Sequence, residues 1–151
     1  MDLVAGIDAA GFPLAGAMAL QMGLGVLTFR KAGKLCVDVD TVSYGGTVYS
    51  DKSKEQALEM RTPAFVVGTR VLIVDQWIET GSTMGAAIQL VERQGGSVAG
   101  VVAINIEDTE ASRAMRAKYK CHSIAALSRD FAAQLRPVGD TPDIAAGHPA
   151  A

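Results

Sequence analysis

The stretch that most constrains this chain is VLIVDQWIETGSTM, residues 71–84. Four apolar residues stop at Asp75, so a buried strand is expected over 71–74 with a carboxylate at its end. Met84, Ala87, Ile88 and Val91 then recur at helical spacing, and Gly95-Gly96 closes the helix. Between strand and helix lies the turn Thr80-Gly81-Ser82-Thr83. The backbone N–H groups of such a turn converge on one point with the helix dipole behind them. The hydroxyls of Thr80, Ser82 and Thr83 add donors, and Gly81 permits close backbone approach. A phosphate fits that nest, and Asp75 suits the hydroxyls of a sugar attached to it. The same residues also fit a strand that ends in a polar turn and N-cap without any ligand.

Strand and helix alternate around this segment. Residues 3–7 read as a strand that stops at Asp8. Gly11 turns the chain, Pro13 suits the first turn of a helix, and Gly23 stops that helix after about Met22. A second strand covers 26–29, followed by the basic turn Arg30-Lys31-Ala32-Gly33-Lys34. Residues 35–65 show no clean period beyond room for a short strand at 47–50, and read as a functional loop. A strand follows at 98–106, then a helix capped by Asp108 and running to about Lys118. A strand end at 124–127, a short helix near Phe131 and a loose tail from Gly139 complete the chain. One domain over 1–138 and a tail over 139–151 are therefore expected. The order implies an α/β fold, a parallel twisted sheet flanked by helices, with ligands beyond the carboxyl ends of its strands. Asp8, Arg30 and Asp75 fall at such positions.

Composition narrows the partners. The 151 residues are 49% hydrophobic but only 5% aromatic, and small side chains let helices lie close on a sheet. A formal charge of −2 gives no basic footprint for nucleic acid as a main partner. Cys36 and Cys121 stand far apart and in no metal-ligand spacing, as in a reduced cytoplasmic chain. The N-terminus has no positive segment before its apolar residues, and no run of about 20 apolar residues could cross a membrane. Asp38 and Asp40, and separately Cys121 and His122, fit solvated or structural roles better than a metal site. Met18, Leu20 and Met22 read as core packing. The lysine-bearing pattern of a P-loop is absent: Gly6 and Gly11 have the glycine spacing, but Phe12 follows. The glycine fingerprint of a dinucleotide fold is absent too.

VLIVDQWIETGSTM resembles the phosphoribosyl-pyrophosphate-binding motif of type I phosphoribosyltransferases. GIDAAGFPLAGAMALQMG resembles the pyrophosphate-loop segment of adenine phosphoribosyltransferases, and FRKAGKL their following basic turn. TVYSDKSKE is similar, more faintly, to the mobile loop of xanthine phosphoribosyltransferases. The resemblance covers residues 3 to about 127 and implies a type I phosphoribosyltransferase fold with a reduced or missing hood. It implies a 5-phosphate on Thr80, Gly81, Ser82 and Thr83, and ribose hydroxyls on Asp75 and Gln76. It implies a pyrophosphate loop of Asp8, Ala9, Ala10 and Gly11, with Arg30, Lys31 and Lys34 facing the leaving group in their own or a neighbouring subunit. Ser43 and Tyr44 would belong to the loop that closes over the reaction, with Lys52 and Lys54 as further candidates or plain surface lysines.

The implied activity is a purine phosphoribosyltransferase, adenine-type by overall resemblance, making a nucleoside monophosphate and pyrophosphate. Mg²⁺ would be held mainly by the oxygens of phosphoribosyl pyrophosphate, with few protein ligands. A homodimer is implied as well. Glu79 stands where these enzymes have alanine or aspartate, and fits either a general base near N7 of a purine or a solvent-facing loop residue. Trp77 fits either a platform for the base or ordinary packing. Gln76 replaces a second acid, and Ala10 replaces the arginine of adenine-type members. Both departures fit an alternative, a non-catalytic regulatory protein that binds phosphoribosyl pyrophosphate or a nucleotide.

Overall fold

The structure, a computed structural model, describes residues 1–45 and 56–124. In chain order their elements are β1 (Leu3–Ile7), α1 (Gly11–Met22), β2 (Gly25–Lys31), β3 (Val39–Tyr44) and β4 (Gln56–Arg61). There follow β5 (Arg70–Ile78), α2 (Ser82–Arg93), β6 (Ser97–Ile106), α3 (Glu110–Lys118) and β7 (Cys121–Ser123). Among these residues the strands form one 7-stranded sheet in the order β3-β4-β2-β1-β5-β6-β7. β2, β1, β5, β6 and β7 run parallel, as strand–helix–strand alternation requires.

The apolar runs of the central strands are buried on both faces, and alternate residues go to opposite helices. On β5, Val71 and Ile73 join the larger core with α2, while Leu72 and Val74 join a smaller core with Ala15 and Ala19 of α1. Helix α2 buries Met84, Ala86, Ala87, Ile88, Leu90 and Val91. Each of its larger aliphatic side chains contributes roughly 1.5–3 kcal/mol by leaving water. Helix α1 sits closer still, and two glycines make room for it. A Cβ on Gly6 would lie 2.6 Å from the Gly11 carbonyl oxygen, and a Cβ on Gly11 2.7 Å from that of Val74.

Several sequence expectations change. The segment with no clean period holds an antiparallel pair, β3 and β4, with β4 also antiparallel to β2, so the sheet is mixed. β3 does alternate, with Thr41 and Ser43 exposed and Val42 and Tyr44 buried, but over too few residues to stand out from the sequence. β5 does not stop before Asp75. Its partner β6 is long enough to pair Asp75 with Ala103 and Ile78 with Ile106, which carries the strand to Ile78. Arg30 and Lys31 belong to β2, because β4 pairs with them, and the turn begins at Ala32. Thr109, not Asp108, caps α3: its side chain accepts from the Ser112 N–H, while Asp108 binds Arg113 at 2.8 Å. The last strand among the described residues is Cys121–Ser123. Leu20 and Met22 are 86% and 45% exposed and are not core, whereas Met18 packs against the smaller cluster. The possible strand at 47–50, Lys52, Lys54, residues 125–127, the helix near Phe131 and the tail from Gly139 lie outside the described residues.

Candidate functional site

The order β2-β1-β5-β6 fixes where a ligand can go. From β1 the chain crosses through α1 to β2 on one side, and from β5 through α2 to β6 on the other. The two crossovers diverge and leave a crevice beyond the carboxyl ends of β1 and β5, the switch point of an open α/β sheet. The loops that open into it are Asp8–Ala10 after β1 and Glu79–Gly81 after β5. The start of α1 lies against β5 here: a Cβ on Gly11 would also lie 3.5 Å from the Asp75 Cα.

A hollow of about 440 Å³ lies here, lined by an unbroken run from Asp75 through Met84. That volume suits a small metabolite. Gly81 is the N-cap of α2 at φ 79°, a left-handed conformation that glycine adopts without cost. The first helical bond runs from the Gly85 N–H to the Gly81 carbonyl. The amides of Gly81, Thr83 and Met84 therefore precede the helical ladder, and none has an acceptor among the described residues. The Ser82 N–H reaches only Thr80 Oγ1 at 3.3 Å, and the Thr80 and Ser82 hydroxyls bond each other at 2.8 Å. The turn thus offers free N–H groups to an open hollow, in the arrangement that binds phosphate.

Asp75 stands at the edge of the hollow with one hydrogen bond, from the Gln76 N–H at 2.7 Å. Burial pushes its carboxyl up to about 6, and the Gln76 N–H offsets only part of that rise. Gln76 and Trp77 are exposed on the same wall. Trp77 is not core: it is 46% exposed, and its indole N–H donates to Glu107 Oε1 at 2.7 Å. Glu79 also lines the hollow, and its carbonyl accepts from the Thr109 hydroxyl at 3.4 Å.

The second loop supplies different chemistry. The Asp8–Ala9 peptide is cis. The Asp8 carboxylate accepts from Arg30 Nε at 2.9 Å and from the Lys31 N–H at 3.4 Å, so it ties the end of β2 to this loop. The Arg30 guanidinium lies 5.5 Å over the Phe12 ring, with its terminal nitrogens unbonded among the described residues. Lys31 and Lys34 are exposed. Ala10 ends the loop immediately before α1.

Ser43 and Tyr44 were expected in a closing loop, but both lie in β3, paired with Ala57 and Gln56. Tyr44 is buried because it packs into the larger core, and its hydroxyl donates to Gln56 Oε1 at 3.0 Å. Burial pushes its phenol up, the Asp75 and Asp8 carboxylates add to the rise, and a hydrogen bond with Thr83 opposes it. Tyr44 therefore reaches the turn that opens α2 from the far edge of the sheet. Sequence reasoning missed Glu59 of β4, which is 3% exposed, with a carboxylate bound by the N–H groups of Gly33, Lys34 and Leu35. Its only signal was a lone acid inside the apolar run ALEM. Among the described residues no three His, Cys, Asp or Glu side chains cluster as a metal site.

A model of the phosphoribosyl transferase domain matches residues 1–138. The chain belongs to that family. Adenine phosphoribosyltransferase of Salinispora tropica is 46% identical over 99 residues, 66% of this chain and 50% of that protein. The same enzyme of Chlorobaculum parvum is 38% identical over 131 residues, 85% of this chain and 71% of the relative. The chain thus spans about half the length of the first of these relatives. Among solved structures, adenine phosphoribosyltransferase of Saccharomyces cerevisiae, complexed with adenine and an imino-altritol bisphosphate, matches with a TM-score of 0.73 and 25% identity. That match covers 83% of this chain and 68% of the other. The sheet and its flanking helices are the type I phosphoribosyltransferase fold.

Proposed function

We propose that this protein is a purine phosphoribosyltransferase of adenine type, acting in purine salvage. It transfers the phosphoribosyl group of phosphoribosyl pyrophosphate to the base, giving a nucleoside monophosphate and pyrophosphate. The observation that carries this reading is the hollow after β5, where amides at the start of α2 that have no acceptor among the described residues stand beside the carboxylate of Asp75. The relatives named adenine phosphoribosyltransferase favour adenine as the base.

In this reading Gly81, Ser82, Thr83 and Thr80 hold the 5-phosphate, and Asp75 with Gln76 holds the ribose hydroxyls. Asp8, Ala9, Ala10 and Gly11 border the pyrophosphate, with the free ends of Arg30 and the ammonium groups of Lys31 and Lys34 turned towards it. The hollow offers two carboxylates, Asp75 and Glu79, and hydroxyls along its rim, too few protein ligands to hold the ion alone and so a donor set that fits Mg²⁺ held mainly by substrate oxygens. When bound, Mg²⁺ supplies positive charge to the departing pyrophosphate. A base nitrogen bonds to the anomeric carbon as the bond from that carbon to the pyrophosphate oxygen breaks. Glu79 takes the proton lost by the purine. Trp77, half-exposed and steadied by Glu107, forms the wall beside the base. Rate comes from holding the reactants in line and from stabilising the charge of the leaving group.

No helix among the described residues is long and apolar enough to cross a membrane; a cytoplasmic location is proposed together with the purine-salvage role. We also propose a homodimer. Helix α1 carries no charged residue, yet Leu20 and Met22 on it face solvent. Such an apolar surface is covered in most soluble proteins.

The test is to incubate the protein with Mg²⁺, phosphoribosyl pyrophosphate and each of adenine, guanine, hypoxanthine and xanthine, and to measure pyrophosphate. Release with adenine is expected. Asp75→Asn and Gly81→Val should each abolish binding of phosphoribosyl pyrophosphate, and unchanged affinity in either variant would reject the site. Binding without release for any base would instead establish the regulatory alternative, which Gln76 and Ala10 favour.

A further inference from the structure

The carboxylate of Glu59 is buried on β4, directly across from Arg30 of β2. A buried carboxylate is costly unless donors surround it. Here three consecutive backbone N–H groups converge on it, from Gly33 at 2.9 Å, Lys34 at 2.8 Å and Leu35 at 2.7 Å. Gly33 at φ 80° gives this turn the concave form in which successive N–H groups bind an anion. The anion is the protein's own. Burial would raise this carboxyl, but the three N–H groups and the nearby Arg30 outweigh it and hold it below the usual range.

The turn that Glu59 fills is the basic one beside the crevice. The Ala32 N–H bonds the Ala57 carbonyl at 2.9 Å, so β4 holds the turn by its backbone as well as by Glu59. At the other end Arg30 and the Lys31 N–H bind Asp8. Arg30 therefore has acidic neighbours on both sides. Lys31 and Lys34 form no ion pair among the described residues.

We infer that Glu59 is a positioning residue for the leaving group: its carboxylate occupies the anion-binding turn and fixes the segment that presents Lys31 and Lys34 to the pyrophosphate. The inference rests on the reading above, in which this turn faces pyrophosphate. A tethered carboxylate in the turn also keeps a substrate oxygen from binding there, so the pyrophosphate meets the lysine ammonium groups rather than these amides. Without Glu59 the three N–H groups lose their common acceptor, and the loop is free to shift by the ångström that degrades a positioned contact.

The experiment titrates the full chain with pyrophosphate plus Mg²⁺ and, separately, with ribose 5-phosphate. Glu59→Ala should weaken pyrophosphate binding by about 10- to 100-fold while ribose 5-phosphate stays within about twofold, since the phosphate turn after β5 is untouched. Glu59→Gln keeps one oxygen for the Lys34 and Leu35 amides but turns an amide NH₂ against Gly33. Its loss should be smaller, about 3- to 10-fold, and it decides the matter if the alanine variant does not fold. The Lys31→Ala/Lys34→Ala pair should cost much less in a Glu59→Ala or Glu59→Gln background than in the natural one, because the lysines act through the same placement. Equal losses for both ligands, unchanged pyrophosphate affinity, or strictly additive losses with the lysine variants would overturn the inference and leave the proposed function standing. Failure of the unmutated protein to bind either ligand would instead remove that function, and this inference with it.

Discussion

At the scale of single residues, Asp75 carries a buried carboxylate that costs stability once it ionises. Its carboxyl is pushed by burial to about 6 from an ordinary value of 3.8. A folded-state value above the unfolded one means that the native state binds the proton more tightly. The stabilising contribution is thus fully present below about pH 4 and is lost as pH rises through about 6. Above that range the buried charge destabilises the fold, by on the order of 2 kcal/mol after allowing for partial exposure. Asp75→Asn keeps the oxygen that accepts from the Gln76 N–H and removes the charge. Its melting temperature should exceed that of the natural protein at pH 7.5 and equal it at pH 4, even as ribose binding is lost. A lower melting temperature at pH 7.5 would mean that the hydrogen bond, not burial, dominates at this carboxylate.

At the scale of elements, the seating of α1 sets the start of that helix beside Asp75. The helix lies so close to β1 and β5 that Gly6 and Gly11 have no space for a side chain. The atoms that a Cβ would strike are backbone carbonyls, which cannot rotate away as a side chain can. Gly11→Ala should therefore lift the helix start and displace β5 beside Asp75. We expect a loss of roughly 2 kcal/mol in urea unfolding, within the usual cost of overpacking, together with weaker binding of phosphoribosyl pyrophosphate. Full stability with full affinity would show that α1 can shift without disturbing β5. The β3–β4 pair is the other element that matters, since it carries Tyr44 to Thr83 and Glu59 to the basic turn.

At the scale of the whole molecule, α1 is the anomaly. A helix apolar on all sides is ordinarily buried, yet Leu20 is 86% exposed and Met22 45%. The proposed dimer covers this face. Leu20→Lys should convert the protein to a folded monomer, read by light scattering on a sizing column, with an unchanged circular dichroism spectrum. A dimer that survives the substitution would have to use another face, and a natural protein that runs as a monomer would end the proposal.

Much of this was legible in sequence because it is local. Strand, carboxylate, hydroxyl-rich turn and helix succeed one another in residues 71–93, and short-range periodicity and helix-start chemistry suffice to read them. The first helix, with its stop at Gly23, was legible for the same reason. What lay out of reach depends on pairing between distant segments. The continuation of β5 past Asp75 follows from the length of β6, the place of Arg30 and Lys31 in a strand follows from β4, and the burial of Tyr44 follows from the sheet edge it joins. Glu59 is the sharpest case. In sequence it is an acid in a short apolar run; only the antiparallel register that sets it opposite Arg30 brings it to three amides 24–26 residues away. A sequence records which groups are available, but long-range hydrogen bonding is what decides which of them share a volume.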